Sequence, residues 1–242
     1  MESAYSMNKT IAILQSAYIP WKGYFDLINS VDEFIIFDDA QFTKGDWRNR
    51  NRIKTAQGTQ WLTIPVVKER LAQRIRDTRV SDRTWTRKHW STVSQCFAKA
   101  AYFEEYRDIF ESLYRACAPL EFLSDVNYLF LSKINEILGI SKKLRWSSEF
   151  QLVEGRTERL LDLCRQCGAT RYLSGPAAKS YFDIELANKA NIEVAWMDYS
   201  YYSEYTQLYG DFEHGVTILD LLFNVGESAH RFMKSFEAKD VD

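Results

Sequence analysis

Two short, wholly apolar runs near the start of the chain, Ile11-Ala12-Ile13-Leu14 and Phe34-Ile35-Ile36-Phe37, bracket a helix-length stretch from Trp21 to Val31. Apolar runs of four without polar alternation suit strands buried on both faces. Two such strands joined through one helix predict a right-handed βαβ unit and a parallel sheet. The alternation returns later in the chain. Thr157 to Cys167 reads as an amphipathic helix stopped by Gly168. Arg171-Tyr172-Leu173 reads as a strand that turns at Ser174-Gly175-Pro176, part of 178–190 as a helix, and Ile192 to Met197 as a strand. Between these halves, Trp61 to Val67 reads as a third strand. Thr84 to Lys99, Phe103 to Ala116 and Leu120 to Leu138 carry a helical period, with Gly139 placed as the residue after the last helix end. Thr217 to Asn224 opens a final helix, with Thr217 and Asp220 spaced as a capping box in which Asp replaces Glu. The chain is expected to fray from about Lys234. The pattern predicts an α/β fold: a mostly parallel Rossmann-like sheet with flanking helices and a helical insertion or cap. The expectation is a single domain over 1–242, with a helical subdomain at about 84–140.

Composition narrows the class. With 242 residues and 46% hydrophobics, the chain can bury a core without disulfide or metal staples. No apolar run approaches the roughly 18–20 residues of a membrane span. The first ten residues, MESAYSMNKT, lack the apolar stretch of a secretory signal, and four Cys do not make a disulfide framework. A cytoplasmic setting is the expectation. The net charge is only −2, but it is unevenly spread. Residues 1–100 carry 16 Lys/Arg against 10 Asp/Glu, and residues 101–242 carry 15 against 23. A basic first part suits an anionic ligand such as a phosphate or carboxylate. The acidic remainder argues against a nucleic-acid partner.

The densest polar signal lies between Gln15 and Asn51. Gln15, Tyr18, Pro20, Trp21, Gly23 and Tyr24 follow the first strand directly, where a parallel sheet places its ligand crevice. A helix starting there would offer free amides to an anion. Asp38 and Asp39 close the second strand and point to opposite faces, so one can serve as a base or hydroxyl acceptor. Gln41 and Lys44 follow. In Trp47-Arg48-Asn49-Arg50-Asn51-Arg52, strand alternation puts the three Arg on one face and the two Asn on the other. Guanidinium groups suit bidentate recognition of phosphate or carboxylate, and Trp47 suits stacking on a base or sugar. His89 stands among Arg87, Lys88 and Trp90, and the two cations favour a neutral ring fit for a general base. Ser174 and Gly175 end a strand ahead of Lys179, an arrangement that can hold a phosphate or oxyanion. Five Tyr between Tyr199 and Tyr209, with Gln207 among them, can wall a sugar or base pocket. Cys164 and Cys167 form a lone CxxC inside a helix and read as buried thiols rather than a zinc site, and no metal is expected. Neither a dinucleotide fingerprint nor a P-loop is present, and nothing marks NAD or pyridoxal phosphate binding.

The segments Leu14-Gln15 through Phe25, Asp38 through Lys44, Trp47 through Asn51, Tyr172 through Gly175 and Phe212 through Gly226 resemble the WbqC-like proteins. The resemblance runs from about Ile11 to Gly226. It departs from the family pattern at Ser16-Ala17, where a Pro commonly follows the Gln, and more mildly at Ile19 for Leu and Thr217 for Ser. It implies a bacterial protein of O-antigen or surface-polysaccharide biosynthesis that attaches an acyl or aminoacyl group, glycyl among them, to a nucleotide-linked amino sugar. Acyl-CoA or ATP are the cofactors to consider, and enzymes of the same pathway the partners. The strand–PWxG–helix segment also looks like a degenerate HxGH nucleotidyltransferase site lacking both histidines. Under this reading Arg48, Arg50 and Lys44 bind pyrophosphate or a donor carboxylate. Trp21, Tyr24 and Trp47 pack on base or sugar. Asp38, Asp39 or His89 takes a proton, and Ser174 with Gly175 holds an oxyanion or phosphate. Gln15, Tyr18, Gly23, Gln41, Asn49, Lys179 and Gln207 complete the expected binding set. The alternative is a non-catalytic nucleotide-sugar or glycan binder that serves a partner enzyme.

Overall fold

A computed structural model describes residues 8–237. Among them nine strands are formed: β1 (Thr10–Leu14), β2 (Glu33–Ile36), β3 (Arg50–Thr55), β4 (Gly58–Thr63), β5 (Val66–Val67), β6 (Arg79–Val80), β7 (Lys143–Trp146), β8 (Arg171–Ser174) and β9 (Glu193–Trp196). The α-helices are α1 (Lys22–Asn29), α2 (Trp85–Phe97), α3 (Phe103–Cys117), α4 (Leu123–Ile137), α5 (Arg156–Gln166), α6 (Ile184–Lys189), α7 (Ile218–Val225) and α8 (Lys234–Glu237). No helix among the described residues is long and apolar enough to cross a membrane. The chain divides into two compact units.

Of the described residues, the first unit comprises 8–14, 27–37 and 142–200. It holds a five-stranded, all-parallel sheet in the order β7-β2-β1-β8-β9. The chain enters at the central β1, winds outward through β2 and β7, then returns to the other side through β8 and β9. This is the Rossmann-like, doubly wound order, and it puts the topological switch point between β1 and β8. β1 and β2 are almost wholly buried, as their apolar runs require. Ile11, Ile13 and Ile35 pack with Leu160, Leu163 and Cys164 of α5 in one core. Both thiols of the CxxC lie in that core. Burial pushes the Cys164 thiol up to about 12, so it is an inert thiol at neutral pH. The strand β7 has no apolar run, because it is an edge strand. Buried Glu33 anchors it by pairing with Arg145 at 3.2 Å and Lys143 at 3.7 Å, and also takes Lys9 at 2.6 Å. The helix expected over part of 178–190 is α6, preceded by a 3-10 turn at Pro176–Ser180.

Of the described residues, the second unit comprises 15–26, 38–141 and 201–237. The helices α2, α3 and α4 follow one another, and α2 and α3 pack with α7 through rings. Phe97, Phe103 and Phe110 each lie 5.1–5.4 Å from Phe223. Two small antiparallel sheets belong to this unit, β3–β4 and β5–β6. The third strand expected at Trp61 to Val67 is thereby corrected. Pro65 has no amide proton to continue a ladder, and the stretch divides between two different pairings. The turn between β3 and β4 is tight, with Thr55 opposite Gly58, and Gly58 takes φ +109°, a conformation glycine adopts without strain. Two further expectations are corrected. Thr217 does cap α7, accepting from the Leu219 amide, but the Asp220 carboxylate turns to Tyr205 and Asn224 instead of closing a box. The segment from Lys234 is helical rather than frayed up to Glu237. Buried Asp26 accepts from the amides of Lys234 and Ser235 at 2.9 and 3.0 Å, which ties down the helix start.

Candidate functional site

The segments that follow β1 and precede β3 are stitched together inside the second unit. The Tyr18 amide donates to the Trp47 carbonyl at 3.0 Å. Arg48 Nη1 donates to Gln15 Oε1 at 3.0 Å. The Asn51 side-chain amide donates to the carbonyls of both Tyr18 and Ile19, at 3.1 and 2.8 Å. Ile19 sits at φ +40°, a left-handed conformation that a β-branched residue rarely adopts. Asn51 is therefore the clamp that holds a strained turn. Truncation to Ala would leave two buried carbonyls without a donor. Asn51→Ala is expected to cost about 2 kcal/mol of stability, read as a lower midpoint in denaturant unfolding. An unchanged midpoint would show that the turn holds without it.

A second layer closes around Asp38, which is 1% exposed. Asp38 Oδ1 accepts from the Ser16 amide at 2.8 Å, and Oδ2 accepts from the Ser16 and Ser124 hydroxyls at 2.7 and 2.5 Å. Asn127 of α4 donates to Ser16 Oγ and to the Arg48 carbonyl, each at 2.9 Å. Burial pushes the Asp38 carboxyl above its usual range, while its hydroxyl and amide donors and the Arg48 charge pull the other way. Asp39, its neighbour, points elsewhere and pairs with Arg74 and Arg76 at 3.3 and 3.2 Å. Both carboxylates lie in the turn after β2 rather than in the strand itself, so their different partners are set by the turn and not by strand alternation.

His89 is buried and engaged at both nitrogens. Burial pushes its pKa down to about 4, with the Thr63 backbone carbonyl acting against that shift. The Nδ1 of the neutral ring lies 2.9 Å from the Tyr18 hydroxyl, which in turn shares a hydrogen bond of 3.0 Å with the Tyr114 hydroxyl. Tyr18 itself is fully buried.

The exposed face is the β3–β4 hairpin. Its burial alternates as the Arg/Asn pattern predicts, with Asn51 buried and Arg50 and Arg52 half-buried. Trp61 lies opposite Arg52 in the register. Trp47 and Trp61 are 42% and 41% exposed, with ring centroids 5.3 Å apart. The Arg50 guanidinium lies 4.1 Å over Trp61, and that of Arg52 lies 5.7 Å from it. Arg52 donates to the Gly215 carbonyl. Arg50 has no hydrogen-bonding or ion-pair partner among the described residues, and its buried Nε is unsatisfied. The Nε of Arg48 is unsatisfied as well, with Asp46 4.0 Å away. Gly45, at φ +75°, passes close over Arg50, where an added Cβ would lie 3.5 Å from the guanidinium. Lys44, beside it in sequence, is exposed.

The remaining expected residues make the following contacts. Tyr24 donates to the Gln15 carbonyl at 2.9 Å, and Asn49 donates to the Ile64 carbonyl at 2.9 Å. The Trp21 ring lies over Gly23, where a Cβ would collide with it, and packs edge-on against Tyr202. Gln41 is exposed and donates to the Leu71 carbonyl. Gln207 accepts from Lys54 at 2.8 Å and donates toward the Tyr205 hydroxyl at 3.4 Å. In the first unit, the Ser174 hydroxyl accepts from Tyr172 at 3.2 Å, Gly175 precedes the 3-10 turn, and Lys179 is exposed 5.9 Å over Trp196. Sequence reasoning missed Ser124, Asn127 and Trp61. Polar Ser124 and Asn127 within the otherwise apolar stripe of α4 were the available signal. Trp61 becomes legible only with the hairpin register. It also missed Lys22, which is buried, donates to the Ser203 carbonyl at 2.9 Å and is pushed by burial down to about 8.

A model of the WbqC-like protein family matches residues 15–232. A Mycobacterium tuberculosis (strain ATCC 25618 / H37Rv) protein described as "Uncharacterized protein Rv1507c" is 49% identical over 227 residues, covering 93% of this chain and 98% of that protein. No solved structure matches the chain.

Proposed function

The chain belongs to the WbqC-like protein family, and from that premise we propose that it is a transferase that attaches an acyl or aminoacyl group to an amino sugar carried on a nucleotide in surface-polysaccharide biosynthesis. The observation that carries the reading is Arg50. A guanidinium stacked on an exposed Trp, with no carboxylate of its own, is a ready partner for a diphosphate. Trp47 and Trp61 supply an aromatic surface for the base, and Arg52 and Lys44 add positive charge beside it. Asp38 and His89 are assigned positioning roles here, because each polar atom that could move a proton is already bonded inside the fold. Asp39 is taken up by two guanidinium groups and has the same kind of role. The chain's contribution is then binding and orientation of the reacting amine. The amine nitrogen forms the bond to the acyl carbon while the bond from that carbon to its carrier breaks. The carrier leaves with the electron pair, and the proton lost by the nitrogen passes to the departing carrier or to water.

The closure of Asp38 and His89 also favours a second reading, a nucleotide-sugar binder that presents its ligand to a partner enzyme. One experiment separates the readings. Thermal shift and calorimetry with dTDP, UDP, GDP and CDP are expected to pick out one nucleoside diphosphate, with a shift lost in Arg50→Ala and Trp61→Ala. Ligand at 100 times its Kd stabilises a fold by roughly 2.7 kcal/mol, well above detection. Binding followed by amide formation on the matching amino sugar supports the transferase. Binding without turnover supports the carrier. The absence of any shift overturns both.

A further inference from the structure

A separate cleft lies in the second unit, away from the tryptophan pair in sequence and in lining residues. It is a shallow depression, largely open to solvent, with a volume of about 660 Å³. Three rings line it, those of Tyr102, Tyr205 and Phe232. Each is fixed. Tyr205 packs edge-on against Phe212 at 5.0 Å and Phe232 at 5.5 Å, and its hydroxyl donates to buried Asp220 at 2.9 Å. Tyr102 donates its amide to the Phe223 carbonyl, and its ring rests against Gly226, where a Cβ would collide with it. Gly226 takes φ +59°, so a side chain there would be strained as well as obstructed. Asn224 keeps its amide nitrogen on Asp220, at 2.8 Å from the carbonyl and 3.3 Å from the carboxylate.

Polar groups without internal partners share the same lining. Among the described residues, neither Glu204 nor Arg231 has a hydrogen bond or ion pair, and the Asn224 side-chain oxygen has no donor. The cleft thus offers pinned aromatic faces together with an unengaged carboxylate, amide oxygen and guanidinium. Sugars present that complement: apolar C–H faces that pack on rings, rimmed by hydroxyls that each donate and accept. We infer that this cleft is a carbohydrate-binding site distinct from the tryptophan–arginine hairpin. A free amino acid would engage Glu204 and Arg231 but leave the rings bare, so glycine is the competing probe. The inference does not depend on the nucleotide reading of the hairpin.

The test uses the full chain with N-acetylglucosamine, glucosamine, N,N′-diacetylchitobiose and glycine in saturation-transfer NMR titrations. At least one of the saccharides is expected to bind saturably. Glu204→Ala and Arg231→Ala remove exposed side chains that support nothing in the fold, and each is expected to weaken that binding about tenfold, the scale of one charge-assisted hydrogen bond. Trp61→Ala is expected to leave it unchanged. Binding of glycine alone, no saccharide binding at all, or binding lost in Trp61→Ala but retained in Glu204→Ala and Arg231→Ala would each overturn the assignment. The last result would leave the hairpin reading intact.

Discussion

Replacing Asp38 with Ala is expected to lower the unfolding free energy by about 3–5 kcal/mol. The residue is 1% exposed, and its carboxylate accepts from the Ser16 amide, the Ser16 hydroxyl and the Ser124 hydroxyl. Removing it leaves these buried donors facing no acceptor in a place water does not reach. Each such orphan costs roughly 1–3 kcal/mol. The damage spreads further, because Ser16 also takes Asn127, and Asn127 holds the Arg48 carbonyl. Ser124→Ala removes only one donor and is expected to cost about 1 kcal/mol. Chemical denaturation of both variants checks the ranking. A loss under about 1 kcal/mol for Asp38→Ala would mean that the network is dispensable and that Asp38 is free for chemistry.

Asp220→Asn is expected to act in the opposite direction and to stabilise the fold at neutral pH. Asp220 is 1% exposed, and burial pushes its carboxyl up to about 6. The Tyr205 hydroxyl, Gln207, Asn224 and the Lys54 charge oppose that shift. The unfolded carboxyl titrates near about 3.9. Between those values the folded chain binds more protons than the unfolded one, so stability falls as pH rises through about 6. The difference corresponds to about 3 kcal/mol at about pH 7.5, less what Lys54 loses when its partner becomes neutral. Asn keeps an oxygen for Tyr205. The gain is therefore expected to be about 1–3 kcal/mol at about pH 7.5 and to vanish near about pH 4. Unfolding curves at both pH values provide the measurement. Destabilisation at the higher pH would show that the negative charge itself holds Tyr205 and Lys54 in place.

The unequal legibility of the elements has physical causes. β1 and β2 are readable because strands buried on both faces must be apolar throughout. β7 is not, since an edge strand is half covered and Lys143-Leu144-Arg145-Trp146 carries no such run. Its place is fixed by Glu33, whose partner in the register is Lys143. Whereas Arg48 and Asn49 lie in the turn before β3 rather than in a strand, the Arg/Asn alternation is legible as a two-faced strand from Arg50 onward. That its cationic face is stacked on Trp61 is not, because cross-strand pairing depends on which residues form the turn. His89 is neutral, as its cationic neighbours suggest, but mainly for a different reason. Burial lowers its pKa more than the adjacent Lys88 does.

Local residue order is enough to dictate the α/β class, the parallel βαβ start, the amphipathic helices and the clustering of polar residues in 15–51. Those properties follow from short-range period and residue chemistry, which any chain of this pattern must satisfy. Which polar side chains are spent inside the fold, and which stay available, emerges only when distant segments meet. Asp38 is closed by Ser124, 86 residues away, and His89 by Tyr18, 71 residues away. Arg50 is left without an acceptor among the described residues. A hydrogen bond or ion pair between residues far apart in the chain exists only once the chain has folded, so no local pattern can record it.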